Sequence, residues 1–394
     1  MEVGLVGKPN VGKSTFFGAA TLAPAQIADY PFTTIEPNRG VAYVRVRCPH
    51  LDLGKPCRPV HGACEDGTRL VPVEMLDVAG LVPKAHEGRG LGNKFLDDLR
   101  QAAALIHVVD ASGRTDFEGN PVKDGTHDPT EDVAFLESEL AYWIAGILAR
   151  DWEKNARRAS LAGTALERLV QERLAGLGLT EPQVLLAVKD AGVPPIAARV
   201  DELVPLANAL RRRGKPIILA GNKADLAPEA NLQKLRALPG YEVVPTAAEY
   251  ELGLRRAAKA DLIDYLPGAP SFTVRDPARL TEAQRRGLDR VRAFLARFGS
   301  TGVQRCVEQV VFRLLDRIVV YPVEDETHWT DKKGNVLPDA FLVPRGSTAK
   351  DLAARVHTDL ASHFIRAIDG RTKMVVGADH ALKDGDVVKI VAKV

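Results

Sequence analysis

Gly7-Lys8-Pro9-Asn10-Val11-Gly12-Lys13-Ser14 fits the pattern G-x-x-x-x-G-K-[ST], between the apolar run Val3 to Val6 and a following helical pattern. A strand, a glycine-rich loop and a helix in that order are what a phosphate-binding loop needs. The glycines let backbone N–H groups turn inward as an anion nest. The next helix then points its positive N-terminus at the phosphates. Asn10, Val11, Gly12 and Thr15 complete the expected cradle, Lys13 is placed to reach the β- and γ-phosphates, and Ser14 is placed to ligate Mg²⁺.

The rest of the chain is consistent with a sheet built around that loop. Val71 to Leu76, Leu105 to Val109 and Pro216 to Ala220 are short apolar runs of buried-strand length. Helical patterns alternate with them, which predicts a doubly wound, mostly parallel α/β sheet. The interval before the last run is too long for one crossover. It carries one stripe of Val133, Leu136, Leu140, Trp143, Ile144, Ile147 and Leu148, and a second of Leu166, Leu169, Val170, Leu174 and Leu177. The simplest account is a helical arm inserted over 131–206, with a helical layer packed on the sheet as the alternative; the arm leaves 1–130 and 207–315 as the two parts of the α/β domain. The remaining 316–394 reads as a small β-grasp unit. Its expected strands are Ile318 to Val323, Phe341 to Val343, Ile365 to Ile368, Lys373 to Val376 and Val387 to Val391, with a helix over Ser347 to His363 and a turn at Asp384-Gly385-Asp386.

Three further segments carry chemistry beside the loop. Asp77-Val78-Ala79-Gly80 follows a strand. Asp77 can hold Mg²⁺, and Gly80, lacking a Cβ, lets its N–H approach a γ-phosphate. Asn222-Lys223-Ala224-Asp225 matches N-K-x-D, in which the carboxylate accepts the N1–H and 2-amino protons of guanine. Adenine offers no such donor pair. Thr246 and Ala247, after Val243-Val244, fit the loop whose backbone reads guanine O6. In Tyr30-Pro31-Phe32-Thr33-Thr34 one threonine is expected to close on Mg²⁺ when a γ-phosphate is present, and the family resemblance given below favours Thr34 over Thr33. The expected catalytic set is therefore Lys13, Thr34 and Gly80, and the expected metal ligands are Ser14, Thr34 and Asp77.

Together these motifs resemble the Obg family of translation-associated GTPases, and within it the YchF subfamily in its archaeal-type form. The resemblance runs along nearly the whole chain. It is carried by Gly7 through Phe16, by Tyr30 through Asn38, and most specifically by Asp77-Val78-Ala79-Gly80-Leu81-Val82 and Gly88-Arg89-Gly90-Leu91-Gly92-Asn93-Lys94-Phe95. The C-terminal unit resembles a TGS domain through Gly346-Ser347-Thr348-Ala349-Lys350-Asp351-Leu352 and Leu382-Lys383-Asp384-Gly385-Asp386. The resemblance implies GTP and GDP as ligands, Mg²⁺ as cofactor, a helical insertion, and ribosome association, with the arm or the TGS domain available for RNA contact. Several YchF members carry an N-K-x-D motif altered to end in Glu and prefer ATP; Asp225 is retained here, so that preference does not transfer. Leu81 stands where Ras-like GTPases keep a water-orienting Gln. Slow intrinsic turnover is expected, with acceleration by a partner or an ion. Asn10 occupies the position that in related GTPases lacking the Gln helps bind K⁺. His86 is a candidate for orienting water, with a surface histidine as the default expectation.

The bulk composition sets limits. The chain has 394 residues, a formal net charge of +2 and 26% charged residues, so any basic docking face must be local. At roughly 100–200 residues per domain, two or three domains are expected. Four cysteines do not make a disulfide framework. With no signal-peptide pattern at the start and no apolar run long enough to span a bilayer, a cytoplasmic protein without membrane partners is expected. Cys48, Cys57 and Cys64, with His50 and His61 nearby, are residue types that suit Zn²⁺. Their spacing contains no C-x₂-C knuckle, so reduced loop cysteines are the default expectation. Cys306 shares a helical pattern with Val310 and is expected in the core.

Overall fold

The computed structural model describes residues 2–22, 39–78, 99–123, 125–162, 166–174 and 177–393. Thr34, Gly80, Leu81 and His86 lie outside these, as do the stretches 30–38 and 79–95 that carried much of the family resemblance. The chain forms two compact units. The first gathers the residues up to Leu22 with Glu74–Cys306, and the second gathers Val41–Val73 with Val307–Val394. The sequence-based division kept 1–130 together, whereas here Val41–Val73 groups with the C-terminal residues.

In the first unit, β1 (Glu2–Val6) is central. The end of β4 (Thr68–Asp77) pairs with it in parallel on one side and β5 (Ala102–Asp110) on the other; β6 (Ile217–Asn222) and β7 (Val243–Pro245) continue the parallel order, and β8 (Ile263–Asp264) and β9 (Thr273–Val274) form a separate antiparallel pair. β5 and β6 are apolar for most of their length and are buried, as expected for strands covered on both faces. The strand order changes direction at β1. Ligands in such sheets bind beyond the carboxyl ends of the strands at the switch point. Those ends carry the loop after Val6, Asp77, Asp110, Asn222 and Thr246.

Between β5 and β6 the described chain is helical: Pro129–Ala149, Trp152–Ala162, Leu166–Arg173, Glu181–Ala191 and Val200–Gly214. Asp128 caps the first of these by accepting from the Thr130 N–H at 3.0 Å, with Pro129 at the first helical position. Such a cap is worth about 1 kcal/mol. The helix serves two cores. Val133, Leu136 and Leu140 pack with the sheet, and further along the same helix Trp143, Ile144 and Leu148 join a separate cluster with Trp152, Val170, Leu203 and Leu210. The last two helices were not foreseen. Leu185 and Leu186 are exposed and blur the apolar stripe of one, and Pro205 sits inside the other.

The second unit holds β2 (Arg39–Arg47) from Val41 onward, β3 (Ala63–Glu65), the first part of β4, and a five-stranded sheet. That sheet has the order β11 (Phe341–Pro344), β10 (Arg317–Val323), β14 (Val387–Ala392), β12 (Phe364–Asp369), β13 (Val375–Val376). β10 and β14 run parallel, and the helix Ala349–Val356 covers Ile318, Val320, Ala367 and Val388. Thr348 caps that helix with Asp351 in a capping box. The single expected helix to His363 is instead two, Ala349–Val356 and Thr358–Ser362. His357 is extended, at φ −161° and ψ 139°, and its Nδ1 accepts from the Asp359 N–H. Cys306 is fully buried in the helix Val303–Gln309, as expected.

Candidate functional site

The phosphate-binding loop and the N-K-x-D segment are one hydrogen-bonded unit. Asn222 ends β6 buried, donating from Nδ2 to the Val11 carbonyl at 2.8 Å and accepting at Oδ1 from the Ala248 N–H at 3.0 Å. Lys223 donates to the Asn10 carbonyl at 2.9 Å and to the Asp110 carboxylate at 2.8 Å. The loop backbone takes a positive φ three times, at Gly7 (156°), Asn10 (61°) and Gly12 (91°). At Gly12 a Cβ would lie 2.4 Å from Asn222 Nδ2, so glycine is required both by conformation and by the closeness of Asn222.

Lys13 and Ser14 open the helix Lys13–Thr21, with Thr15 in its first turn. The Lys13 ammonium meets the Asp77 carboxylate at 2.5 Å, and both side chains are largely shielded from solvent. The sequence places these two residues 64 positions apart, and the parallel pairing of β1 with β4 brings them together. Ser14 Oγ, on an exposed residue, and the Asp77 carboxylate are hard oxygen donors of the kind Mg²⁺ takes. Asn10 ties its amide nitrogen to the Gly119 carbonyl at 3.0 Å, so its side-chain oxygen is the atom left to accept or ligate.

The guanine-reading candidates lie on the same edge. The Thr246 N–H donates to the Gly221 carbonyl, the Ala224 N–H to the Thr246 carbonyl, and the Ala247 N–H to the Thr301 carbonyl, at 2.9, 3.0 and 2.9 Å. These bonds hold the loop after β7 against the segment after β6. Asp225 is exposed beside Tyr250, whose phenol is pushed up by burial and by the Asp225 charge.

Several supporting residues were not singled out from sequence. Asp110 is fully buried at the end of β5 and accepts from Lys223, from the Ser112 N–H at 3.0 Å and from Thr115 Oγ1 at 2.9 Å. Its carboxyl falls below the ordinary range; burial opposes ionisation, but the Lys223 and Ser112 hydrogen bonds outweigh it. The signal was available, since Asp110 follows an apolar strand as Asp77 does. Lys8 is buried, donating to the Thr115 carbonyl at 2.8 Å and to Asp132 at 2.9 Å, and His127 Nε2 lies 2.8 Å from the same carboxylate.

His107, buried in β5, is pushed down from 6.5 to about 3, first by burial and then by the Lys8 charge. The sign follows from linkage. The folded state resists the proton that the unfolded chain accepts, so the His107 contribution is intact above pH 6.5 and is lost as pH falls toward 3. The unfolding free energy from denaturant titrations should therefore decline over that window by up to about 1.4 kcal/mol per pH unit from this residue. His107→Asn should flatten the decline, and an unchanged slope would refute the assignment.

Comparisons with known proteins identify the family. Residues 2–137 match the 50S ribosome-binding GTPase model, residues 220–325 the Obg-like GTPase YGR210-like, G4 motif-containing domain, and residues 328–392 the TGS domain. An uncharacterised GTP-binding protein of Methanocaldococcus jannaschii is 52% identical over 392 residues, covering 99% of this chain and 98% of that one. The ribosome-binding ATPase YchF of Haemophilus ducreyi is 31% identical over 377 residues, covering 93% and 87%. A solved GTP-binding protein from Pyrococcus horikoshii OT3 superposes with a TM-score of 0.77 at 44% identity, each chain covered in full. The Schizosaccharomyces pombe YchF GTPase, at 19% identity and TM-score 0.60 over 99% of this chain and 97% of that one, shares the fold. The chain is thus a P-loop GTPase by class and belongs to the Obg-like family, YchF subfamily, with a C-terminal TGS domain. Members of that class are nucleotide hydrolases. Among the described residues no helix is long and apolar enough to cross a membrane.

Proposed function

We propose that the protein binds GTP with Mg²⁺ and hydrolyses it to GDP and phosphate as a cytoplasmic, ribosome-linked switch. The observation that carries the base assignment is the linkage of Asn222 and Lys223 to the phosphate loop, with the Asp225 carboxylate exposed just beyond them. A nucleotide with its phosphates at Gly12, Lys13 and Ser14 would then have its base near Asp225, Thr246 and Ala247. The name of the Haemophilus relative supports the ribosome as partner, and the inserted helices 131–206 and the TGS domain are the proposed contacts with it, RNA included.

In this reading Lys13 holds β- and γ-phosphate oxygens and exchanges part of its pairing with Asp77 for them. Ser14 and Asp77 would hold Mg²⁺, with Thr34 closing on it, and the ion when bound neutralises charge on the phosphate oxygens. The Gly80 N–H is assigned to the γ-phosphate. Leu81 cannot orient water, so intrinsic turnover is slow and a ribosomal partner supplies the acceleration. Multiple-turnover phosphate release with and without ribosomes tests this. Stimulation by ribosomes supports the switch. Ribosome binding that depends on nucleotide, with no release above background, would instead make the protein a nucleotide-gated binding module.

K⁺ is proposed as a second cation, with the Asn10 side-chain oxygen as one ligand. A cation there stabilises transition-state charge as an arginine finger does. Turnover should be severalfold faster in K⁺ than in Na⁺ at equal ionic strength, and Asn10→Ala should remove the difference. Equal rates in the two salts would contradict the assignment.

A further inference from the structure

Cys48, His50, Cys57 and Cys64 are spaced C-x-H-x₆-C-x₆-C and belong to the second unit, whereas the elements that form the nucleotide site belong to the first. Local structure brings them together. Asp66 and Gly67, at φ 45° and 81°, turn β3 back onto β4 as an Asp-Gly hairpin. The Cys48 N–H donates to the Gly67 carbonyl at 2.8 Å, which fixes the end of β2 beside that hairpin and so beside Cys64. His50 opens the short helix His50–Leu53, which closes at Gly54 with φ 70°. The loop carrying Cys57 is pinned by the Arg58 and Val60 N–H groups, which donate to the Val336 and Pro338 carbonyls at 2.9 and 2.8 Å.

The resulting distances are those of a metal site. One ligand atom from each of the four residues lies within 4.8 Å of the others. Cys48 Sγ and Cys57 Sγ are 3.8 Å apart, and Cys64 Sγ and His50 Nδ1 are 3.6 Å apart. A tetrahedron with metal–sulfur bonds of about 2.3 Å and a metal–nitrogen bond of about 2.0–2.1 Å has S···S edges of about 3.8 Å and S···N edges of about 3.6 Å. We propose that Cys48, His50, Cys57 and Cys64 form a tetrahedral structural site for Zn²⁺. His61, the other histidine in this segment, pairs with Asp339 and is not one of the four.

Charge and packing support the same assignment. Arg69 is fully buried, and its guanidinium donates to the backbone carbonyls of Leu337 at 3.0 Å, Pro338 at 3.2 Å and His61 at 3.4 Å, while Nε has no partner. Among the described residues no carboxylate pairs with it. Its charge acts on Cys57. A buried cation needs a compensating charge. Zn²⁺ entering this cluster displaces three thiol protons to solvent, and two positive charges against three thiolates leave the centre at −1, which balances Arg69. The segment also has little apolar burial to hold it. The helix His50–Leu53 buries no residue, and Leu51 and Val60 are exposed. A metal supplies the cross-link that a small core does not.

The test uses untagged full-length protein. Elemental analysis should find about one zinc per chain, released in step with thiol modification by a mercurial and read with a chromogenic chelator. Cobalt exchanged for zinc should show the visible ligand-field and near-ultraviolet charge-transfer bands of tetrahedral thiolate ligation. Cys57→Ser and Cys64→Ser should each weaken zinc binding at least tenfold, whereas His61→Gln should leave it unchanged. Should the serine variants fail to fold, chelation of the intact protein decides: the proposal expects a lower Tm that zinc restores. Metal-free protein with four free thiols, a Cys48–Cys57 disulfide by mass spectrometry, or a Tm indifferent to chelation would overturn it. Nucleotide affinity is read separately, so failure here leaves the functional proposal untouched.

Discussion

Lys13→Ala lowers GTP affinity by at least tenfold and brings turnover to background. The ammonium faces several phosphate charges, and charge-assisted contacts are worth roughly 1.5–3 kcal/mol each. The structure adds a second consequence. Lys13 is paired with Asp77 at 2.5 Å, so its removal leaves a largely shielded carboxylate without its cation. The variant should therefore also lose the Mg²⁺ dependence of nucleotide binding, because the carboxylate assigned to the ion is no longer held in place. Titration with a fluorescent GTP analogue, with and without Mg²⁺, measures both effects. Unchanged affinity and turnover would remove the phosphate-loop assignment.

Asp225→Asn carries the largest expected effect. An ionised carboxylate meeting two guanine N–H groups makes a bidentate, charge-assisted contact. ATP would bring its 6-amino group to a backbone donor in the loop after β7 and leave Asp225 unmatched. Lost contacts and the unmatched charge together correspond to roughly 3–5 kcal/mol, on the order of 10²–10³ in affinity. The asparagine variant should weaken GTP by about that factor and admit xanthine nucleotide, whose 2-oxo group accepts a hydrogen bond from the new amide. Competition among GTP, XTP and ATP for the variant gives the answer. Tyr250 beside Asp225 offers a partner to either side chain, so the substitution should leave the local fold intact.

The parts of the fold that were legible are those where one physical demand dominates the sequence. Buried parallel strands must be apolar on both faces, so β1, β5 and β6 stand out as mostly apolar runs. The phosphate loop is legible because a turning backbone needs Gly7 and Gly12 at fixed spacing, and the structure gives the second reason for Gly12 in its closeness to Asn222. What stayed hidden depends on residues distant in sequence. The helices Glu181–Ala191 and Val200–Gly214 carry exposed leucines and an internal proline that only tertiary packing overrides. The break at His357 rests on a side-chain cap that competes with the helix. Asp110 was passed over because its partner Lys223 is 113 positions away. The cysteine cluster has no local knuckle; its ligands come from a strand end, a helix start, a loop and a hairpin strand. The Asp66-Gly67 signal that joins two of them was present in the sequence all along.

The central claim is that the N-K-x-D segment, locked to the phosphate loop, makes this YchF-subfamily chain select guanine although relatives of the same fold are named ATPases. Calorimetric titration of the intact protein with GTP and with ATP, in the presence of Mg²⁺, tests it most directly. The account predicts GTP binding tighter by on the order of 10²–10³. Equal affinities, or tighter ATP, would mean that the surrounding fold governs base choice and that Asp225 does not read the base.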